Sequence, residues 1–521
     1  MVIVVAAALL QASRLPFRWN QVSIAYASYF KEYGDAVRAD GWDAALTTFV
    51  GLHPPAYSIL FCGMVGIGVP ALVWHGVSGL FSVAAVPVTY GAARRTWGGR
   101  AAMGAALAAA AVLAISPHRN AYGLEPNNYP LLILATALQL LAFSTWWGRL
   151  DRDPGRKPTV RDVAYAATTA FAMYTHVLAI ALPASQLVAL ALHPEGRRRS
   201  VRFAAVQGAA ALPCLVLLPA ILQGGGAPPM NDPAGALTAV KVALIDFPTR
   251  YGARLGVAGV GLGFAVGAWR IVTDRERLGV PALSWLVHCA GTMALIAWLV
   301  ASGTAAAHQF PYYLALLPSG ALVVGAAFRP SPNSGIGRTL VIVAVVIGLG
   351  VHAGSQALAY AAAQQQWSSA RVDRALMDVA VREWTPGSSL LLIGFPQFRD
   401  DDKDVVDPTW ALIPLTEPIR FAHPGVPTLV TADPYFGQPV LMGDRWLYTF
   451  TEFQPERIDP VAQYVLGQRQ RVVLAIYNTE FAAEELSKAE RWASGYPGLG
   501  RRAQGQALWV IDPFEILGED P

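Results

Sequence analysis

Residues 71–95 read ALVWHGVSGLFSVAAVPVTYGAARR, an apolar run that ends at Arg94 and Arg95. A second run, YPLLILATALQLLAFSTWWG over residues 129–148, is of similar length and holds no charged residue. A helix crosses the hydrocarbon core of a bilayer with about 20 apolar residues. Both runs therefore predict membrane-spanning helices.

The composition of the whole chain agrees with these two runs. Hydrophobic residues make up 54% and charged residues 14% of the 521 residues, and the mean hydropathy is +0.38. An ordinary soluble domain carries about 25% charged residues. We predict a polytopic α-helical membrane protein with about 11 transmembrane helices, over residues 1–13, 71–93, 101–117, 129–148, 162–177, 178–193, 203–222, 253–271, 281–302, 311–328 and 338–356.

The loops between these windows alternate in their content of lysine and arginine. Clusters occur at Arg94/Arg95/Arg100, Arg149–Arg161, Arg197–Arg202, Arg270–Arg277 and Arg329/Arg338. Basic loops remain in the cytoplasm, so the amino terminus is predicted to be cytoplasmic and residues 14–70, 118–128, 223–252, 303–310 and 357–521 to lie outside. The composition, which is rich in Ala, Gly and Arg, is compatible with a GC-rich bacterial gene, and we predict a multi-pass protein of a bacterial inner membrane. The basic loops also account for the net charge of +4, so no nucleic-acid partner is inferred.

The chain is predicted to contain two domains. Residues 1–356 form the transmembrane domain, and the first outer loop, 14–70, contains helices that lie shallow in the membrane, since a crossing by 56–69 would place Arg94 and Arg95 outside. Residues 357–521 are predicted to form a small soluble extracytoplasmic α/β domain. Its strands are expected at 389–393, 471–476 and 507–511 and its helices at 369–384 and 480–494.

The outer loops hold the candidate site residues. In the sequence His53-Pro54-Pro55-Ala56-Tyr57, the histidine could contact a phosphate, or the motif could be a simple helix start. Between the third and fourth spans, Arg119 and Glu125 could bind a polar acceptor or supply a base, or could belong to an ordinary solvated loop.

Two further outer positions carry polar side chains beside tyrosines. His176 follows Tyr174, and Arg250 precedes Tyr251. Such residues suit a lipid-linked phosphate, although arginine and tyrosine also anchor helices at the membrane surface. His75 lies in an apolar segment, where a histidine is more often a packing residue. Cys62, Cys214 and Cys289 suggest neither a disulfide framework nor a metal set.

The order of these segments resembles the GT-C superfamily of membrane glycosyltransferases, in the branch that contains protein O-mannosyltransferases and aminoarabinose transferases. The resemblance covers about residues 14–360. It is carried by His53–Tyr57, Val86–Tyr90 with Ala93–Gly98, Ser116–Glu125 with Tyr129, Tyr174–His176, and Tyr313 with Leu317-Pro318.

The resemblance implies a polyprenyl-phosphate sugar as donor and an inverting transfer to a lipid, glycan or protein acceptor on the outer face. The family uses an acidic pair near the start of its first outer loop as catalytic base, and the matching residues here are Asn20 and Gln21. An amide cannot accept a proton at neutral pH. His75 also stands where the family has arginine, and Tyr312 where an arginine precedes the tyrosine.

These differences leave Glu125 as the strongest matched acid, with Asp35 as a local substitute and Asn20 at the family's catalytic position. The residues expected on the substrate side are His53, Tyr57, His75, Arg119, His176, Arg250 and Tyr313. A leaving polyprenyl phosphate requires cationic or hydrogen-bonding groups as its negative charge develops. No cofactor and no protein-bound metal site is predicted, although a divalent cation remains possible.

Two hypotheses follow. In the first, the protein is an enzyme that transfers a sugar from a polyprenyl-phosphate donor. In the second, it is a catalytically lapsed relative that binds lipid-linked sugar or partners another transferase, as the amides Asn20 and Gln21 would favour. A transporter would require ionisable residues at mid-span and broken helices in matching halves, and the sequence shows neither clearly.

Overall fold

The structure is a computed structural model of the 521-residue chain. It describes residues 1, 3–5, 7–8, 54–66, 71–99, 102–125, 127–150, 159–197, 199–217, 236–246, 254–302, 310–329, 339, 342–348, 350–355, 389–394, 440–442, 445–447, 472–477, 487, 491, 499–501 and 508–511. The chain divides into two compact units, and the second contains Ala361–Pro521.

Helices account for nearly all of the described part of the first unit. We number them α1 (Ala56–Gly66), α2 (Ala71–Trp97), α3 (Ala102–Ile115), α4 (Pro117–Tyr122), α5 (Asn128–Leu150), α6 (Val160–Thr175), α7 (Ala181–Leu192), α8 (Pro194–Arg197), α9 (Ser200–Cys214), α10 (Ala236–Lys241), α11 (Arg254–Thr273), α12 (Arg275–Ala301) and α13 (Leu317–Ala327). The apolar helix Ile342–Ser355 follows and is called α14.

Five helical segments in the described residues are long and apolar enough to cross a bilayer: Val73–Trp97, Asn128–Gly148, Ser200–Leu217, Arg254–Thr273 and Arg275–Ala301. Four shorter apolar helical segments accompany them: Ala102–Ile115, Val177–Leu192, Tyr312–Ala327 and Ile342–Ser355. All nine coincide with predicted windows. The total of about 11 spans stays a prediction, because parts of several windows lie outside the described residues.

Four helices build the part of the unit that positions the candidate site. Helix α2 packs against α3 and α5, and α5 packs in turn against α6. The start of α5 meets the end of α6, where the Asn128 side-chain amide donates to the Thr175 carbonyl over 3.4 Å. The other end of α5 meets the start of α6, where Trp146 Nε1 donates to Asp162 over 2.9 Å. These helices are therefore antiparallel and have two distinct ends.

Helix α11 approaches its neighbours through a stripe of glycines. Gly256, Gly259, Gly263 and Gly267 are buried on one face of this helix. A Cβ atom on Gly267 would lie 1.9 Å from the Val323 carbonyl oxygen in α13, and one on Gly259 would lie 2.6 Å from the Gly348 Cα in α14. Any larger side chain would force the backbones apart, so these glycines allow the close helix packing found within membranes.

Two predicted outer loops contain helices. The connection over 118–128 begins with α4, and the loop over 223–252 holds α10 followed by a π-helical segment, Val242–Asp246. Ser116 caps α4 and Pro117 occupies its first turn, the arrangement that starts many helices. Helix α1 overlaps the predicted shallow helix at 56–69. Its 11 residues measure about 16 Å, which is too short to cross a bilayer core.

The described residues of the second unit are mainly strands: β1 (Ser389–Gly394), β2 (Val440–Met442), β3 (Arg445–Leu447), β4 (Val472–Tyr477), β5 (Leu499–Arg501) and β6 (Leu508–Ile511). Four of them form one sheet in the order β1-β4-β6-β5, and β2 pairs with β3. Strands β1 and β4 are parallel, whereas β6 is antiparallel to both β4 and β5. The three predicted strands coincide with β1, β4 and β6. The α/β domain as a whole, its boundary at 357 and its helices stay predictions, because those helices lie almost entirely outside the described residues.

Candidate functional site

The connection between α3 and α5 is buried although it is rich in polar residues. The exposed fraction is 0% for Arg119, 4% for Glu125 and 0% for Asn127. The Ser116 side chain accepts a hydrogen bond from the Arg119 backbone N–H over 3.4 Å, which starts α4 and directs this residue inward. The alternative of an ordinary solvated loop is therefore wrong, because the connection is packed between helices.

The Arg119 guanidinium lies at the centre of this end of the bundle. Its Nη1 donates to the Ser82 carbonyl at 3.2 Å and to the Ser82 hydroxyl at 3.3 Å. Its Nη2 donates to the Ala114 carbonyl at 2.8 Å and to Asn120 Oδ1 at 2.6 Å. All four acceptors are neutral oxygens, and a buried charge needs such hydrogen bonds to offset its lost hydration. The guanidinium thus brings a positive charge to the interior between α2, α3 and α4.

Glu125 lies in the turn that follows α4. Its carboxylate Oε2 accepts a hydrogen bond from the side-chain amide of Asn127 over 2.8 Å. The Asn127 backbone N–H also donates to the Glu125 carbonyl over 2.7 Å, which closes the turn. Because the turn is buried, the carboxylate is held in a defined orientation. Glu125 is therefore a buried acid on the same short connection as Arg119.

His75 connects α2 to this turn. Its Nδ1 lies 2.7 Å from the Leu124 carbonyl oxygen. A carbonyl can only accept, so Nδ1 carries the proton in this contact. On the next turn of α2, a Cβ atom on Gly79 would lie 2.8 Å from the Leu124 side chain, which shows how closely the turn packs on α2. That His75 contacts the substrate stays a prediction. In the structure, its side chain contacts the backbone of the turn that follows α4.

Tyr57 joins α1 to α2 at the same end. Its hydroxyl lies 3.0 Å from the Ser78 hydroxyl, and the Tyr57 side chain is buried. Burial raises the pKa of the Tyr57 phenol well above its ordinary value, and the hydrogen bond with Ser78 opposes this only in part. The phenol is therefore neutral and acts as a hydrogen-bonding group. Phe61 and Trp74 extend the contact between the two helices, with ring centroids 4.9 Å apart.

His176 lies where α6 ends, between two tyrosine rings. Its centroid is 5.9 Å from that of Tyr129 and 5.7 Å from that of Tyr312. Its Nδ1 accepts a hydrogen bond from the Leu178 backbone N–H over 3.1 Å, so this nitrogen carries no proton. Tyr313, also predicted to contact substrate, donates from its hydroxyl to the Ala239 carbonyl over 3.3 Å. Both side chains are buried and tie the elements of this end together.

A cavity of about 420 Å³ lies beside α4 in the first unit. Its walls are mainly apolar and come from α3, α11, α12 and α13, with Val260, Phe264 and Met293 among them. The polar lining includes His118 of α4 and His352 of α14. His352 is buried, and among the described residues its Nδ1 has no hydrogen-bond partner. The volume falls in the range of small-molecule sites, roughly 300–1,000 Å³.

The structure thus brings Tyr57, His75, Arg119, Glu125, His176 and Tyr313 to one end of the helices. The residues that line the cavity do not include Glu125. Asn20, Asp35, His53 and Arg250 lie outside the described residues. No group of three or more His, Cys, Asp or Glu side chains in the described ranges is arranged to hold a metal ion, and the possibility of a divalent cation stays untested.

Sequence reasoning missed Ser82, His352 and the role of Asn127. Ser82 is one of several small residues in an apolar helix, and no local pattern marks it as a partner of Arg119. His352 is a lone histidine in an apolar segment, where a histidine is more often a packing residue. Asn127 had a usable signal, since an asparagine directly before a helix is a common cap.

These features describe a multi-pass membrane protein with a buried group of ionisable residues at one end of its helices. The structure resembles the crystal structure of ArnT from Cupriavidus metallidurans in the apo state, with a TM-score of 0.57, 14% identity and coverage of 100% of this chain and 98% of that one.

A second structure of the same aminoarabinose transferase is bound to undecaprenyl phosphate. It aligns with a TM-score of 0.54, 14% identity and the same coverage. The apo form of the Archaeoglobus fulgidus oligosaccharyltransferase covers 96% of this chain and 72% of its own, at 14% identity. Its TM-score of 0.46 is too low to establish a shared fold. No protein-family model and no curated protein sequence matches the chain significantly.

Proposed function

We propose that this protein is a glycosyltransferase that moves a sugar from a polyprenyl-phosphate donor to an acceptor on the outer face of a bacterial inner membrane. The observation that carries the proposal is the connection between α3 and α5, in which Arg119 and Glu125 are buried and Ser116, Pro117 and His118 line an apolar cavity. The full-length fold similarity to ArnT, of which one structure holds undecaprenyl phosphate, supports the choice of donor.

The proposed reaction assigns a separate task to each charged group. Glu125 takes the proton from the acceptor hydroxyl as its oxygen bonds to the anomeric carbon. The bond between that carbon and the phosphate oxygen breaks at the same time, and the electron pair leaves with the polyprenyl phosphate. Arg119 offsets the negative charge that develops on the phosphate. The sugar is transferred with inversion because the acceptor attacks opposite the leaving group.

The cavity suits the apolar chain of the donor. Its walls are largely aliphatic and aromatic, and His118 and His352 supply polar groups among them. An apolar chain gains about 25 cal/mol for each Å² that it buries. A donor with its first isoprene units in this cavity would bring its phosphate toward α4 and the Arg119 end of the bundle.

The transfer assay tests the activity itself. Purified protein is incubated with labelled polyprenyl-phosphate sugars and an acceptor extract of membranes, and the labelled product is separated from the lipid donor. We expect transfer of at least one sugar. If donor lipids bind and no sugar is transferred, the activity is excluded for the donors supplied.

A pair of glycine substitutions tests the cavity. Gly320 lines the cavity, and neither Gly320 nor Gly104 on α3 has an atom within 4 Å of an added Cβ. Gly320→Leu fills part of the cavity and should weaken binding of a polyprenyl phosphate about tenfold or more, whereas Gly104→Leu should leave it unchanged. Equal binding by both variants would show that the chain of the donor lies elsewhere.

A second candidate function is binding of lipid-linked sugar without transfer. The observation that favours it is the pair Asn20 and Gln21, which stand where the family has acids. The double substitution Asn20→Asp with Gln21→Glu separates the two candidates. A gain of transfer in this variant over an inactive wild type would identify a lapsed enzyme, whereas an active wild type would identify a working one.

A further inference from the structure

Asn127 occupies the position between the Glu125 carboxylate and the first turn of α5. Helix α5 begins at Asn128, so Asn127 is its cap residue. Its Oδ1 accepts a hydrogen bond from the Tyr129 backbone N–H over 3.0 Å. Only the oxygen of an amide can accept this bond, so the contact decides which way the amide points.

The nitrogen of the same amide contacts Glu125. With Oδ1 held by the helix, Nδ2 lies 2.8 Å from Glu125 Oε2 and donates to it. The backbone of Asn127 is fixed as well, through its N–H bond of 2.7 Å to the Glu125 carbonyl. Two hydrogen bonds through the Asn127 amide therefore connect the carboxylate to the start of α5, and a third holds the Asn127 backbone to the backbone of Glu125.

We propose that Asn127 is a positioning residue, which holds the Glu125 carboxylate in the orientation that proton transfer requires. This inference rests on the proposed function, in which Glu125 is the base. A catalytic group must be held within about 0.5 Å of its productive position, and that requires a partner whose own geometry is fixed. The cap bond to α5 fixes the geometry of Asn127.

The same contact bears on the charge of Glu125. A donor to a carboxylate favours the ionised form, which is the form that accepts a proton. The ionisable groups at this end of the surrounding elements include Tyr57 of α1, His75 of α2, His118, Arg119 and Tyr122 of α4, Tyr129 of α5, His176 at the end of α6, and Tyr312 before α13. All of these groups remain when Asn127 is replaced, so a change in titration reports the loss of the amide donor.

Two substitutions of Asn127 keep the cap of α5 and remove the hydrogen bond to the Glu125 carboxylate. Asn127→Ser keeps a side-chain oxygen that can cap α5 and removes the amide donor. Asn127→Asp also keeps the cap and places a second carboxylate beside Glu125. Both serine and aspartate are favoured cap residues, so we expect unfolding temperatures close to that of the wild type. If one variant fails to fold, the other still tests the inference.

The first measurement needs no substrate. The infrared band of the protonated carboxyl is followed against pH in the purified protein, and it is assigned to Glu125 by its loss in Glu125→Gln. We expect the midpoint of this titration to rise by about one pH unit in Asn127→Ser, a tenfold change in proton affinity, and further in Asn127→Asp. Unchanged midpoints in both folded variants would overturn the inference.

The second measurement is the pH dependence of transfer. A base with a higher pKa is ionised only at higher pH, so the acid limb of the kcat profile should move upward by the same amount, with KM nearly unchanged. A lower rate with no movement of the acid limb would indicate a purely structural role and would also overturn the inference. An inactive wild type would instead refute the proposed function, and the infrared titration would still decide the role of Asn127.

Discussion

The two ends of the antiparallel helices α5 and α6 hold buried carboxylates in different surroundings. At the start of α6, Asp162 binds Arg202 through two hydrogen bonds of 2.7 and 3.0 Å. It also accepts from Trp146 and from the Thr159 backbone and hydroxyl, over 2.7 to 2.9 Å. About 27 Å away along α5, Glu125 accepts from the neutral amide of Asn127, and Arg119 donates to neutral oxygens.

Under the proposed function, the Asp162 carboxylate has a structural role and the Glu125 carboxylate takes part in the reaction. At the Asp162 end, an arginine and a carboxylate neutralise each other with bidentate geometry, which stabilises a fold and leaves little basicity for proton transfer. At the Arg119 end, the hydrogen bonds described above join each charged group to neutral partners. Under the proposed function, the acid and the cation on this connection act on different parts of the substrate.

The largest expected effect tests the proposed role of Glu125 as the catalytic base. Glu125→Gln keeps the size and most of the hydrogen bonding of the side chain but cannot accept a proton. We expect transfer to fall about 100- to 10,000-fold, with little change in the unfolding temperature. Glu195→Gln, at an exposed position in α8, is the matched control and should retain full activity. Equal activity of the two variants would remove Glu125 from the mechanism.

The next largest effect tests the structural role of the ion pair between Asp162 and Arg202. Asp162→Asn leaves Arg202 without its ion-pair partner, and breaking a buried pair costs about 3 to 5 kcal/mol. We expect about 3 kcal/mol, since 22% of the Arg202 side chain remains exposed. Thermal unfolding in detergent measures the loss. The protein that remains folded should transfer sugar at the rate of the wild type, and a selective loss of kcat would contradict the comparison.

Replacement of Arg119 or of Arg202 by lysine should have a smaller effect than the two substitutions above. Lysine keeps the charge but cannot reproduce the planar fork of donors. Arg119→Lys should lower stability by about 2 kcal/mol, because several hydrogen bonds from a charged group are disturbed, and should also weaken binding of a polyprenyl phosphate. Arg202→Lys should lower the stability and leave binding of the polyprenyl phosphate unchanged. Donor binding by equilibrium titration distinguishes them, and a loss of binding in both variants would show that the two ends are not functionally distinct.

The smallest effect concerns a single hydroxyl. Tyr57→Phe removes the hydrogen bond to Ser78 in a buried contact and should lower stability by about 1 kcal/mol. Tyr174→Phe removes a bond of 2.6 Å to the Pro213 carbonyl at a more exposed position and should cost less. A loss of donor binding in Tyr57→Phe beyond this change in stability would indicate that the phenol contacts the substrate directly.

Local sequence signals predicted the long helices around the candidate site but not helix α4. Residues 116–125 were expected to form the end of a span and a loop, whereas Ser116 caps a short helix that directs Arg119 inward. The apolar runs at 71–93 and 129–148 became α2 and α5. The burial of the connection over 116–127 was left open, because its polar composition fits a solvated loop equally well and burial depends on neighbours distant in the chain.

The sequence alone determined that this is a multi-pass helical protein, and it located the spanning runs and the main strands of the second unit. Hydrophobic length and helix-start chemistry are local properties, and they can be read from consecutive residues. Only the tertiary structure decided which polar side chains meet. Arg119 contacts Ser82, 37 residues away in the sequence, and Asp162 contacts Arg202, 40 residues away. Apolar helices have similar hydropathy, so shape and packing determine which of them are neighbours.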